Sequence, residues 1–138
     1  MDLSLTERSK EGIVILDAKG QIVAGDGVNR LRERLKAIAE SGSANAILNL
    51  AEVDYIDSSG LGALVMSFSA LRKNDGALKL LNLTRRNVEL LVLTKLETVF
   101  EVFDDEQNAV NSFFPNREIK RFDILSFLQQ HKQGASGE

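Results

Sequence analysis

Ala46-Ile47-Leu48-Asn49-Leu50 leads into Asp54-Tyr55-Ile56-Asp57-Ser58-Ser59-Gly60-Leu61-Gly62, and this stretch sets the fold class. The apolar run shows no polar alternation, the pattern of a central strand buried on both faces. Downstream, Leu61, Leu64, Val65, Phe68 and Leu71 recur at helical spacing, and Asn74-Asp75-Gly76 stops the stripe. The spacing predicts a strand, a turn and an amphipathic helix starting near Ser59. Ser58 and Ser59 then fall on the turn. A helix N-terminus has unpaired N–H groups and a partial positive charge, so it tolerates an anion such as phosphate. A hydroxyl placed there can accept a phosphate without the helix melting.

Working outward, Leu3-Leu5, Ile13-Val14-Ile15-Leu16 and Ile22-Val23 read as short strands, with Gly12 and Asp17-Ala18-Lys19-Gly20 as turns. Val28, Leu31, Leu35 and Ile38 mark a helix over 28–40, with Asp26-Gly27 offering the N-cap and Ser41-Gly42-Ser43 the stop. On the other side, Ala77–Leu81 is a strand, and Thr84 caps a helix holding Val88, Leu91 and Val92. Val99–Phe103 reads as a further strand. Asp104-Asp105 opens a short helix with Ala109, Val110 and Phe113, and Gln107 follows Asp104 by three residues as in a capping box. The only proline, Pro115, follows that helix, and Ile124, Phe127 and Leu128 carry the spacing of a C-terminal helix. Alternating strands and helices imply an α/β domain with helices packed on a sheet.

The chain has 138 residues, enough for one domain, and its apolar fraction of 43% supports a proper core. It contains no cysteine, which excludes disulfides, thiolate chemistry and zinc–thiolate sites. No apolar run approaches the ~18 residues of a membrane span. Met1-Asp2-Leu3-Ser4 lacks a signal pattern, so a cytoplasmic protein with no membrane partner is expected. Net charge is −3 with Lys and Arg dispersed, which argues against nucleic acid as a partner. Lys79, Arg85, Arg86 and Lys95 read as ordinary solvated residues.

Asp57-Ser58-Ser59-Gly60-Leu61-Gly62 resembles the phosphorylation-site motif of STAS domains of the bacterial anti-sigma-factor antagonist family. Ile47–Leu50, Leu78–Thr84 and Leu96–Phe100 are similar to other family segments in family order, so the resemblance covers residues 3 to 113. It implies a single STAS-type α/β domain over 1–113, a mixed sheet of about five strands flanked by about four or five helices. Residues 114–132 extend beyond the usual end of the family, and the tail 133–138 is expected to be disordered. The resemblance implies a phosphorylation-switched binding module rather than an enzyme. Unphosphorylated, such a protein binds an anti-sigma serine/threonine kinase and frees a sigma factor. The kinase phosphorylates the serine and the complex separates, and a serine phosphatase restores the hydroxyl. By position in the motif, Ser58 is the expected acceptor, Ser59 the cap and packing neighbour, and Asp57 part of the recognition surface. Gly60 and Gly62 leave room for a partner backbone. Asn82 is expected to flank the site. Asp26 is expected to join the partner surface, although its loop departs from that of the best-known antagonists.

Other chemistries fit less well. A nucleophile elbow needs Gly-x-Ser-x-Gly, and Ile56 stands at the upstream glycine. The sole histidine, His131, lies near the C-terminus, so no Ser-His-Asp triad is expected. A receiver-like role for Asp57, or a magnesium site with Asp54, lacks an adjacent acidic pair, because Asp17 and Asp26 stand singly. Gly25-Asp26-Gly27 lacks the third glycine of a dinucleotide loop. No metal and no cofactor is expected. Two alternatives stay open: a STAS scaffold of a stress-signalling assembly, and a partner switch with a non-sigma output. For Phe122, Ile124, Phe127 and Leu128 three outcomes stay open: cover for the domain's own surface, the contact of a weak homodimer, or docking on a partner.

Overall fold

The computed structural model describes residues 2–129. The five strands stand in the order β1 (Ser4–Lys10), β2 (Ile13–Ile22), β3 (Asn45–Ile56), β4 (Ala77–Leu81) and β5 (Val102–Phe103). The β1–β2 pair is antiparallel and the other pairs are parallel, which makes the sheet mixed. Four helices accompany it: α1 (Asp26–Glu40), α2 (Ser58–Lys73), α3 (Arg85–Leu93) and α4 (Glu106–Asn111). A fifth helical segment, α5, occupies residues 124–129. His131 and the tail 133–138 lie outside the described residues.

The unalternating run in β3 has the expected cause. Ala46, Leu48 and Leu50 point into the larger core, while Ile47 belongs to the smaller core on the opposite face. The larger core receives Leu31 and Leu35 of α1, Leu61, Leu64 and Leu71 of α2, and Leu91 of α3. The smaller one joins Ile13, Ile15, Leu81 and Phe103 to Ala109 and Val110 of α4. Each large aliphatic side chain so buried contributes about 1.5–3 kcal/mol.

Five local expectations are corrected. Residues 13–22 form one continuous strand rather than two strands around a turn, because β2 absorbs its glycine in register shifts at Asp17/Lys19 and Gly20/Gln21. Gly20, at φ 113°, lies so close to the Asp2 carbonyl that no Cβ would fit. The α1 N-cap is Gly25, without a side-chain cap, and Asp26 sits inside the first turn, where its charge suits the helix dipole. Only Val102 and Phe103 of the expected 99–103 strand pair with β4, since Leu96–Thr98 forms a 3₁₀ turn. Val99 and Phe100 then donate back to the Leu96 carbonyl at 2.9 and 3.0 Å, and the Phe100 ring packs edge-on against Phe68. Asp105 rather than Asp104 caps α4, accepting from the Asn108 amide at 2.9 Å. Lys79 is not solvated. It is 6% exposed, and its Nζ meets Glu101 Oε2 at 2.9 Å, Ser112 Oγ at 2.8 Å and the Ser112 carbonyl at 3.1 Å. The Phe113 ring covers it at 4.3 Å.

Residues 114–129 of the C-terminal extension lie on the domain's own surface. Phe122 and Ile124 pack against the larger core, and Ile119 against the smaller one. The Phe122 amide donates to the Val102 carbonyl at 3.4 Å, and Arg121 pairs with Glu101 at 3.1 Å. The extension thus shields the edge left by the short strand β5, which would otherwise offer free main-chain groups.

Candidate functional site

Parallel pairing carries β3 beside β2 to the end of both strands, where Ile22 pairs with Ile56. The next residue, Asp57, has extended backbone and caps α2. Its Oδ1 accepts the Gly60 amide at 2.8 Å, and its Oδ2 accepts the Ala24 amide at 3.0 Å. Its own amide donates to the Ile22 carbonyl at 3.1 Å. One aspartate therefore caps the helix and fastens the β2–α1 loop to it. The Gly60 and Ala24 N–H groups stabilise the carboxylate and hold its pKa below the usual aspartate value.

The cap expected of Ser59 is thus supplied by Asp57. An aspartate three residues before an amide is among the most favoured N-caps, and the Asp-x-x-Gly spacing carried that signal in the sequence. Ser58 and Ser59 become the first helical residues. Both are exposed, and neither hydroxyl forms a hydrogen bond among the described residues. Gly60 is buried beneath them and packs on β2. A Cβ there would collide with the Ile22 carbonyl and lie 2.8 Å from Ile22 Cγ2, so its close approach is internal. Gly62 is exposed, with nothing within 4 Å of an added Cβ.

Beside the serines a groove of about 320 Å³ separates α1 from α2, bordered by Gly25, Asn29, Arg32, Ser59, Gly62 and Met66. Met66, 60% exposed, is the largest apolar side chain on this rim. Arg32 and Met66 escaped the sequence reading. The available signal was a long apolar residue one position off the buried stripe of α2. Asp26 is exposed on the loop that Asp57 holds through Ala24, so the structure brings that loop to the serine turn. Asn82 lies elsewhere. Its amide donates to Asn49 Oδ1 at 3.4 Å, and it borders a separate cleft that shares no residue with the serine groove.

The arrangement presents an accessible primary hydroxyl with no base beside it. Both oxygens of Asp57 are engaged, which removes it as a free reactive carboxylate. Among the described residues no group of three His, Cys, Asp or Glu side chains could hold a metal ion.

The STAS-domain model matches residues 5–109, from β1 into α4. This chain belongs to the STAS domain family. The sequence relatives of this STAS domain include the anti-sigma-B factor antagonist of Bacillus subtilis, 38% identical over 80 residues that make up 58% of this chain and 72% of the relative. The anti-sigma-B factor antagonist of Staphylococcus aureus is 35% identical over 75 residues, 54% of this chain and 69% of the relative. The fold is similar to that of an anti-sigma factor antagonist from Mycobacterium paratuberculosis, with a TM-score of 0.71 and 17% identity over 80% of this chain and 93% of the other. It is also similar to the Bacillus cell fate determinant SpoIIAA in its phosphorylated form, with a TM-score of 0.64 and 18% identity over 80% of this chain and 99% of the other. No helix among the described residues of the STAS domain is long and apolar enough to cross a membrane.

Proposed function

We propose that this STAS domain is an anti-sigma-factor antagonist switched by phosphorylation of Ser58. In its unphosphorylated form it binds an anti-sigma serine/threonine kinase and releases the sigma factor that the kinase holds. Phosphate transfer from the kinase to the Ser58 hydroxyl ends the complex, and a serine phosphatase resets it. The domain acts as substrate and binding module. The partner surface comprises Ser58, Ser59 and Gly62, with Asp26 on the loop fastened by Asp57. Gly60 contributes from beneath by setting the position of the turn. Asn82 borders the separate cleft and is not part of this surface.

The supporting observation is the placement of Ser58: exposed, free of hydrogen bonds among the described residues, and in the first turn of a helix already capped by its neighbour. The first-turn amides and the helix dipole favour an added phosphate, so the fold survives the modification. The partner does not tolerate it as well. Phosphorylation adds about −1.5 to −2 charges next to Asp57. A hundredfold loss of affinity requires only about 2.7 kcal/mol, within what an unpaired charge at an interface costs. Likeness in sequence to anti-sigma-B factor antagonists supports the choice of partner.

The test is intact-mass spectrometry with site mapping on protein from its own cells, beside a Ser58→Ala variant. One phosphate on Ser58, absent from the variant, together with capture of a kinase by the variant alone or by both unmodified forms, is the expected result. Phosphate on Ser59 with Ser58 bare, or a Ser58→Ala variant that is phosphorylated as readily as the parent, would overturn the assignment.

A further inference from the structure

A second concavity, of about 380 Å³, opens at the carboxyl ends of β4 and β5 beside Ala51 of β3. Its walls are Asn82 and Thr84 after β4, Phe103 and Asp104 at the end of β5, and Phe122 and Phe127 of the extension. Small molecules settle preferentially in concavities of this kind. Aromatic walls with a few convergent polar groups are the usual composition of such sites.

The polar groups of this cleft are unbalanced. Asn82 is held at φ 59° with its main-chain N–H on the Phe103 carbonyl at 2.8 Å. Its amide N–H donates to Asn49, and its amide oxygen has no protein donor among the described residues. The Asp104 carboxylate forms no hydrogen bond and no ion pair among the described residues. Asp104 is also the only charged residue of the lining. The Thr84 hydroxyl, which accepts the Asn87 amide at 3.3 Å, keeps one donor, but the two idle groups are acceptors and one is charged, so a molecule that brings donors is the complementary one. A negative charge next to Asp104 would be repelled and a positive one drawn in. The Phe122 and Phe127 rings, 5.2 Å apart between centroids, offer an apolar wall for a flat body and π-faces for a nearby cation.

We propose that this cleft is a binding site for a small amphiphilic amine: a flat, apolar ring system carrying a protonated amine or N–H donors. The ring lies against the phenylalanines, and the donors meet the Asp104 carboxylate and the Asn82 amide oxygen. Because the extension supplies two of the aromatic walls, occupancy also fixes the extension on the edge of β5. The site shares no lining residue with the groove beside the serines, and the proposal does not depend on the phosphorylation switch.

The experiment is titration of the ¹⁵N-labelled full-length chain with tryptamine, followed by two-dimensional NMR, with indole-3-acetate as the charge-reversed control. Tryptamine is expected to shift the amides of Asn82, Leu83, Thr84 and Asp104 and those of the extension saturably, with a Kd on the order of 1 mM or tighter. Indole-3-acetate should bind at least about tenfold more weakly, and Asp104→Asn should weaken tryptamine by a similar factor. Ala51→Leu, which fills the cleft from the exposed side of β3, should abolish the shifts while leaving the rest of the spectrum in place. Ser58→Ala should bind tryptamine as the parent does. The proposal fails if no shift saturates below about 10 mM. It fails equally if the shifts map outside the cleft, or if indole-3-acetate or Asp104→Asn matches the parent response.

Discussion

Asp57 and Ala24 lie 33 residues apart in sequence, yet a carboxylate oxygen of the first accepts the main-chain N–H of the second at 3.0 Å. That bond, with the cap on Gly60 at 2.8 Å, makes one side chain responsible for the geometry of the whole serine turn. Asp57→Ala is expected to lower stability by about 1–2 kcal/mol through loss of the cap. It should also free the β2–α1 loop, so amide exchange at Ala24 and Gly60 should speed up far more than exchange in the strands. Hydrogen-exchange NMR checks this, and unchanged protection at Ala24 would rule out the clamp.

Acid sensitivity follows from carboxylates whose pKa values are depressed in the folded state, Asp57, Asp17 and Glu106 among them. Asp57 is lowered by the Gly60 and Ala24 amides, and Asp17 and Glu106 by hydrogen bonds from Arg8. Arg8 bridges the last two, at 2.6 Å to Asp17 and 2.5 Å to Glu106. A folded pKa below the unfolded one gives stability that is present above the unfolded value, about 3.9 for Asp and 4.3 for Glu, and lost as pH falls through the folded value. The melting temperature should therefore stay nearly level at neutral pH and decline below about pH 4. Asp57→Asn should flatten the part of that decline that Asp57 causes. Thermal unfolding of both proteins across the acid range tests the point.

Gly60 and Gly62 separate folding from binding. A methyl group at Gly60 meets the Ile22 carbonyl, whereas one at Gly62 meets open space. Gly60→Ala should cost about 1–3 kcal/mol or displace the start of α2. Gly62→Ala should be neutral or stabilise by up to about 1 kcal/mol, since alanine is the better helix former. If Gly62 lies under the partner, Gly62→Ala should nevertheless weaken capture of the kinase. Paired melting curves and pull-downs read both effects.

Lys79 ties β4 to the end of α4 and to Glu101 at the entry to β5. Lys79→Ala would leave the Ser112 oxygens without their Lys79 donor, leave Glu101 to Arg121 alone, and open a gap beneath Phe113. A loss of about 1–3 kcal/mol is expected, as for buried acceptors left without a donor, since the half-exposed Glu101 stays solvated. Lys79→Met keeps the stem and should cost clearly less. Denaturant unfolding of the two variants distinguishes them, and equal losses would refute a packing role for the stem.

Much of the architecture was legible because its causes are local. The unbroken apolar run Ala46–Leu50, the stripe from Leu61 to Leu71 and the Thr84 cap each specify their element through periodicity or a single side chain. The serine turn was legible for the same reason, since a buried strand followed directly by a helix leaves the intervening hydroxyls outside. The misread elements depend on distant partners. Gly20 looked like a turn because nothing nearby shows that the Asp2 carbonyl passes over it. Lys79 looked solvated because Ser112 and Phe113 reach it only after α4 has packed on the sheet.

Local sequence patterns specify an α/β chain with this order of elements and Ser58 at the mouth of a helix. Periodicity, capping residues and apolar runs act within a few residues of one another, so they need no tertiary context. Long-range contacts are what make Asp57 rather than Ser59 hold the turn, turn Asn82 to a different cleft, and lay the C-terminal extension along the edge of β5. Those outcomes rest on hydrogen bonds and contacts between segments tens of residues apart. Their formation depends on which strands become neighbours, and that is fixed by the pairing of the whole sheet.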